Sequence, residues 1–390
     1  MKQLSFENTE VAFQSKTTKQ LNKSYWLFKL VSNNTLVKIS PLLLKLAFFF
    51  RLPIKGLIKQ TIFEQFCGGE SIDTCDKRIK DLAQYQIGTI LDYSVEGKSS
   101  EEDFNRVTQE TIRTIQKAKD ENNIPFAVFK TSGLARLELL KKVSSAKEEL
   151  KNEEKEEYER VKNRIKTICS IAYDNNVRIF IDAEESWIQD AIDSLATSMM
   201  RKYNAKKAIV FNTLQMYRWD RFAYLKQSYA DAENGNYFLG LKIVRGAYME
   251  KERERAKELG YPSPIQKDKK SCDNDYNLAL TFCISHIDKI ALCAGTHNEE
   301  SSILLTKLMA ENNILKKDIR VYFSQLLGMS EHISFNLSKH GYNVAKYMPY
   351  GPIKDVLPYL IRRAEENTSI SGQTGRELAL IIKEKNRRSC

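Results

Sequence analysis

The feature that most limits how this chain can fold is a rhythm that begins past residue 85. Short β-branched or aromatic runs recur eight times, each followed by a polar turn and a longer stretch of helical periodicity. The runs are GTILDY (88–93), FAVFK (126–130), VRIFI (177–181), KAIVF (207–211), FLGLKIV (238–244), KIALC (289–293), IRVYF (319–323) and VAKY (344–347). Their starts lie 38, 51, 30, 31, 51, 30 and 25 residues apart, which leaves room for a crossover helix each time and for long insertions after the second and fifth runs. Near-continuous apolar runs suit strands buried on both faces of a parallel sheet. Eight strand–helix units predict an α/β protein with a (β/α)8 barrel. A doubly wound open sheet is the alternative, although no GxGxxG follows any of the runs. The first 85 residues are expected to form helices outside the barrel, dividing the chain into a basic helical region (1–85) and a barrel (86–390).

Charge locates a second feature. The 390 residues carry 61 Lys+Arg against 50 Asp+Glu, a net +11. Residues 1–60 hold ten Lys/Arg and only Glu7 and Glu10 as acids, a local +8, so the remaining 330 residues carry only +3. A body without basic excess argues against nucleic acid as a partner. The stretch 41–63, PLLLKLAFFFRLPIKGLIKQTIF, is strongly apolar but interrupted by Lys45, Arg51, Lys55 and Lys59. Its longest uncharged apolar run is far below the ~18–20 residues that span a bilayer. Two readings stay open: a helix packed on the main domain with snorkelling lysines, or an amphipathic helix that touches a membrane surface. The segment 137–166, with acids and bases three to four apart, reads as one exposed, ion-paired helix. The 7 cysteines are scattered with no CxxC, which points to reduced thiols and a cytoplasmic compartment. The 4 histidines form no HExxH and no zinc spacing appears, so no metal is expected. The first 25 residues lack the apolar core of a signal peptide.

In a (β/α)8 barrel the chemistry sits where the βα loops converge, at the C-terminal ends of the strands. Here those ends read SVEG (94–97), KTSG (130–133), DAEE (182–185), NTLQ (212–215), RGAY (245–248), GTHN (295–298), SQLLG (324–328) and YMPYG (347–351). Each carries hydrogen-bonding or charged groups that a purely structural strand end does not need. Downstream, a helix expected to start near Asp355 carries Arg362 and Arg363, about 100° apart, so both can aim at one anion above the barrel. Glu366 follows at i+4 and i+3 from them. Paired guanidiniums suit a carboxylate, because each can present two parallel donors.

At this point the chain resembles a known family. RIFIDAEE (178–185), LKIVRGAYMEKERERA (241–256), THNE (296–299), QLLGMSEHISFNLSKHGYNVAKYMPYGP (325–352) and YLIRRAEEN (359–367) look like proline dehydrogenase, over residues 66–376, and closest to its monofunctional, eukaryote-like branch. The resemblance implies a distorted (β/α)8 barrel that uses FAD to oxidise L-proline to Δ1-pyrroline-5-carboxylate and passes electrons to a membrane quinone. It implies that Arg362 and Arg363 hold the proline carboxylate, that Lys130 and Asp182 shape the site floor, and that Tyr347 and Leu326 pack on the proline ring. Glu96 would pair with Arg362 on closure. Gln215, Lys242, Arg245, Gly246, Tyr248, Thr296, His297, Asn298 and Gln325 would bind FAD; Lys242 stands where the bifunctional bacterial branch has arginine. The flavin takes the hydride, so the protein itself needs neither a nucleophile nor a metal. Such an enzyme is expected in the cytoplasm with peripheral contact on the inner face of the cytoplasmic membrane. On the residues alone, two other readings compete. One is an aldolase-like Schiff-base enzyme with Lys130 as nucleophile; the other is a membrane-binding module that leaves the barrel mouth unused.

Overall fold

The computed structural model describes residues 4–31, 56, 59–94, 99–145, 149–369 and 373–389. Eight parallel strands close into a barrel in chain order: β1 (Ile87–Tyr93), β2 (Phe126–Lys130), β3 (Arg178–Asp182), β4 (Val210–Gln215), β5 (Leu239–Val244), β6 (Ile290–Gly295), β7 (Val321–Leu326) and β8 (Val344–Tyr350). β1 and β8 pair along their whole length and shut the sheet. All the predicted runs are therefore strands of one barrel, and the open sheet is excluded.

The boundaries differ at several runs, for physical reasons. β4 starts at Val210 rather than at residue 207, because Asn204 takes over the preceding backbone. Its Oδ1 accepts from the N–H groups of Ile209 and Val210, both at 2.9 Å, while its Nδ2 donates to the carbonyls of Val210 (2.8 Å) and Phe238 (2.9 Å). β4 and β7 also run on through the polar residues 212–215 and 324–326 read from the sequence as loop, and β6 and β8 run on to Gly295 and Tyr350. The parallel ladder satisfies their backbone whatever the side chain, so polarity alone does not end a strand there. The segment 137–166 is two helices, Leu137–Ser145 and the longer Asn152–Asp174, and ion pairs such as Lys142–Glu154 (2.5 Å) lace them together.

Alternation along each strand sorts residues between two cores. Outward apolar residues pack under the surrounding helices in one continuous cluster. Inward residues fill the barrel. Phe126 of β2 stacks on Phe180 of β3 with ring centroids 4.3 Å apart, and Phe211 and Tyr322 meet Phe126 edge-on. The guanidinium of Arg178 lies 4.3 Å from the Phe126 ring and closes the plug below. Above this plug the inward residues become charged.

A third core lies beside the ends of β7 and β8. Phe13, Leu21 and Phe28 from the N-terminal helices join Val356 and Leu360 of the helix Ile353–Ser369 and Leu380 and Ile381 of the helix Gln373–Ser389. Where described, the first 85 residues form short helices joined by turns, and the C-terminal helix packs back onto Thr18–Val31. Of the apolar stretch 41–63, residues 41–55, 57 and 58 lie outside the described residues, so both readings of its role stand. No helix of the described residues is long and apolar enough to cross a membrane. Cys67, Cys75, Cys169, Cys272, Cys283 and Cys293 are all free and buried.

Candidate active site

The charged layer is built by register. β2 and β3 pair Lys130 with Asp182, the last residue of each strand, and both side chains point inward above Phe126 and Phe180. The Lys130 ammonium donates to both oxygens of Asp92 at 3.2 Å, to Asp182 Oδ2 at 3.0 Å and to the Tyr347 hydroxyl at 3.2 Å. Tyr347 from β8 donates its own proton to Asp182 at 2.6 Å. Lys242 from β5 donates to the other oxygen of Asp182, and its ammonium lies 4.9 Å from the ring centroids of both Phe180 and Tyr347. Two carboxylates thus face two ammoniums inside the barrel.

This arrangement fixes protonation. Burial alone would raise the Asp182 carboxyl, but Lys242, Lys130 and the Tyr347 hydroxyl overcome that and hold it down at about 2. Burial alone would discharge Lys130, yet Asp92, Tyr347 and Asp182 hold its ammonium well above the usual lysine range. A Schiff-base nucleophile must be a free amine, so the aldolase-like reading of Lys130 is not favoured. Tyr347 is pushed upward by burial and by the carboxylates Asp182 and Asp92, and stays a phenol that donates.

Asp92 and Glu184 belong to the site although the sequence reading gave them no role. Asp92 lies inside the strand run GTILDY, and its signal is its place two residues after the inward Ile90, on the same face. Glu184 follows Asp182 by two residues and bonds to Ser132 instead of to the lysines of the floor. It accepts from the Ser132 N–H at 2.9 Å and from the Ser132 hydroxyl, while its backbone carbonyl takes the Gln215 amide at 2.7 Å. Burial and the neighbouring Glu185 push its carboxyl up to about 7.

The residues expected to hold a cofactor gather at the ends of β4 to β7. Arg245 donates to Asp273 (2.8 Å), to the Thr296 hydroxyl (2.7 Å) and to Ser301 (2.9 Å). Asn298 caps the helix Glu299–Glu311 by accepting from the Ser301 N–H at 2.8 Å. His297 pairs through Nδ1 with the Ser330 hydroxyl at 2.8 Å. Gln325 donates to the Thr296 carbonyl at 3.1 Å. Gly246 has φ +132°, and a Cβ there would stand 2.5 Å from the Tyr217 ring, so only glycine fits. Tyr248 stands at the N-cap position of the helix Met249–Leu259, and the Arg362 guanidinium lies 6.0 Å from its ring centroid, which brings the middle of Ile353–Ser369 to the mouth. Leu326, at the tip of β7, packs partly buried against the barrel interior. Glu96 and the side chain of Arg363 lie outside the described residues.

Fold and mouth together define a (β/α)8-barrel enzyme. The family model for proline dehydrogenase matches residues 75–376. Proline dehydrogenase 1, mitochondrial, of Dictyostelium discoideum is 32% identical, covering 98% of this chain and 74% of that protein. Carbapenem antibiotics biosynthesis protein CarD of Pectobacterium carotovorum is 33% identical over 86% of each chain. Hydroxyproline dehydrogenase of Xenopus laevis is 30% identical over 99% of this chain and 90% of that one. Among solved structures, proline utilization A of Bdellovibrio bacteriovorus superposes with a TM-score of 0.73 at 20% identity; the match covers 93% of this chain but only 38% of that longer one and speaks for the fold. The chain belongs to the proline dehydrogenase family.

The raised carboxyl of Glu184 makes a pH prediction. Its folded value, about 7, lies above the ordinary 4.5, so the folded state holds the proton more tightly. That stabilisation is full below about 4.5 and is lost as pH rises through about 7. Glu184→Gln is expected to remove this loss, on the order of 3 kcal/mol at most. Unfolding midpoints measured from pH 4.5 to 8 should fall less in the variant than in the wild type; parallel pH profiles would contradict the burial argument.

Proposed function

We propose that this mouth oxidises L-proline to Δ1-pyrroline-5-carboxylate with FAD as the bound cofactor and a membrane quinone as the final acceptor. The observation that carries the reading is the floor in which the carboxylates of Asp92 and Asp182 balance the ammoniums of Lys130 and Lys242, with the Tyr347 hydroxyl on Asp182 and the Arg362 guanidinium at the mouth beside Tyr248. FAD is an elongated dianion, and the ends of β4 to β7 suit it. They offer the cation Arg245, the donors of Gln215, Thr296, His297, Asn298 and Gln325, and a backbone at Gly246 that no Cβ could share with Tyr217. When bound there, FAD supplies the acceptor for a hydride and the protein need only place the substrate.

Each residue then has a physical task. Arg362, with Arg363, binds the substrate carboxylate by charge-assisted hydrogen bonds. Tyr347, almost fully buried and fixed by Asp182 and Lys130, presents its ring as a rigid wall for the substrate ring, and Leu326 supplies an apolar second wall. Lys242 lies against Asp182 and would contribute positive potential to a bound flavin without a bidentate fork. Since Asp182 titrates only at about 2, the floor keeps one charge state over any working pH. No residue is assigned to the proton on the substrate amine; solvent suffices.

Electron exit calls for contact with a bilayer, because a quinone acceptor resides there. The +8 of residues 1–60 and the apolar, lysine-spaced stretch 42–63 support peripheral attachment. Anionic headgroups attract such lysines by up to ~1 kcal/mol each near the surface.

Two measurements test this function. Arg362→Met removes at least one charge-assisted bond of about 1.5–3 kcal/mol and should cut kcat/KM for L-proline by roughly 10- to 150-fold or more while the FAD content stays that of the wild type. Near-normal turnover would refute the carboxylate assignment. Wild-type protein should sediment with anionic vesicles and release as salt rises, the Debye length falling to ~3 Å at 1 M. If a folded variant with Lys45, Arg51, Lys55 and Lys59 all changed to Glu still sediments like the wild type, those residues do not attach the protein to membrane.

A further inference from the structure

The loop that follows β7, residues 327–330, is held through much of its backbone by side chains from three other elements. The Leu327 N–H donates to the Tyr347 carbonyl at 2.9 Å. Lys346, on the outward face of β8 and wholly buried, donates to the Met329 carbonyl at 2.6 Å and to the Leu326 carbonyl at 3.4 Å. Gln65 donates to the Gly328 carbonyl at 2.8 Å; Gly328 has φ +77°, and a Cβ there would stand 2.2 Å from the Gln65 carbonyl oxygen. The last residue of the loop is the unusual one. Ser330 is fully buried and is not a glycine, yet it sits in the left-handed region at φ 51°, ψ 45°. That conformation is sterically costly for a residue with a side chain, so its surroundings must hold it.

What holds it is Glu377. This carboxylate, 1% exposed, reaches in from the helix Gln373–Ser389 and accepts the Ser330 N–H. Ser330 also stands at the N-cap of the helix Glu331–Lys339, where a serine hydroxyl normally accepts from its own helix. Here it makes no such cap bond and pairs with His297 Nδ1 at 2.8 Å. The left-handed backbone diverts the hydroxyl from capping to the imidazole.

We propose that Glu377 is a positioning residue for the cofactor end of the mouth: by pinning Ser330 in the left-handed conformation, it makes the Ser330 hydroxyl set the orientation and tautomer of His297. The proposal rests on the assignment of His297 to FAD made above. It joins the C-terminal helix, remote in sequence from every strand end but one, to the flavin site through three residues.

The test is the dissociation constant of FAD, titrated onto deflavinated full-length protein and followed by flavin fluorescence, beside the thermal midpoint of the same apoprotein. Ser330→Gly keeps the left-handed backbone at no steric cost but deletes the hydroxyl. It should leave the midpoint within a degree or two of the wild type while weakening FAD about three- to tenfold, the worth of one net hydrogen bond. Glu377→Ala should weaken FAD by a similar factor, and Glu377→Gln, which keeps an acceptor for the Ser330 N–H, should restore most of it. Combining Ser330→Gly with His297→Ala should weaken FAD no more than His297→Ala alone, because both act on one contact. Unchanged FAD affinity in Ser330→Gly, or additive losses in the double variant, would overturn the relay even if Glu377→Ala fails to fold. If His297→Ala itself leaves FAD affinity unchanged, the flavin assignment of His297 falls and the relay with it.

Discussion

The structure depends on one buried carboxylate. Asp182 ends a strand inside a closed barrel, where an isolated charge would be prohibitively costly to desolvate. It is tolerated because β2, β5 and β8 each deliver a group to it: the ammoniums of Lys130 and Lys242 and the hydroxyl of Tyr347. Removing one partner would leave the others as uncompensated charges in the same small volume, so the four residues behave as a unit. The same interaction sets the register of the mouth. Lys130 meets Asp182 only because β2 and β3 pair Phe126 with Arg178 and keep that offset upward, and a slip of one residue would turn both charges into the apolar outer core.

That constraint also explains how the barrel divides its labour. Below Asp182, Phe126, Phe180, Phe211 and Tyr322 make a dry plug capped by Arg178. Above it lie the loops whose residues are proposed to hold ligands, and they are braced from outside the barrel. Arg376 of the C-terminal helix donates to Glu299 at 2.8 Å and also pairs with Glu7 near the N-terminus, while His332 meets Glu299 at 3.1 Å. Those contacts hold Glu299 near 2, well below the ordinary carboxylate range. Both ends of the described chain thus brace the loop that carries Thr296, His297 and Asn298.

The barrel was legible because its signal is redundant: eight apolar runs with crossover-length spacing admit few other architectures. Asp182 and Tyr347 were legible because they lie inside long motifs that resemble one family, Lys130 was named with them from its place at a strand end, and the structure brings these three side chains within hydrogen-bonding distance. Asp92 was not, since a single acid within GTILDY looks like an ordinary strand residue until the sheet closes and turns it toward Lys130. Asn204 was hidden for a similar reason: its four bonds go to backbone groups that only the folded β4 and β5 bring together. Ser330 was quoted within a motif, but neither its left-handed backbone nor its tie to Glu377 leaves any pattern in the sequence, because the partner lies 47 residues away on another helix.

The account's central claim is that the mouth is a flavin site that oxidises L-proline. The most direct test is the visible spectrum of the purified protein, recorded under nitrogen before and after addition of L-proline. A yellow protein whose long-wavelength flavin band bleaches on adding L-proline is the predicted result. A colourless protein that takes up no FAD, or a flavin band that L-proline leaves unchanged, would contradict it.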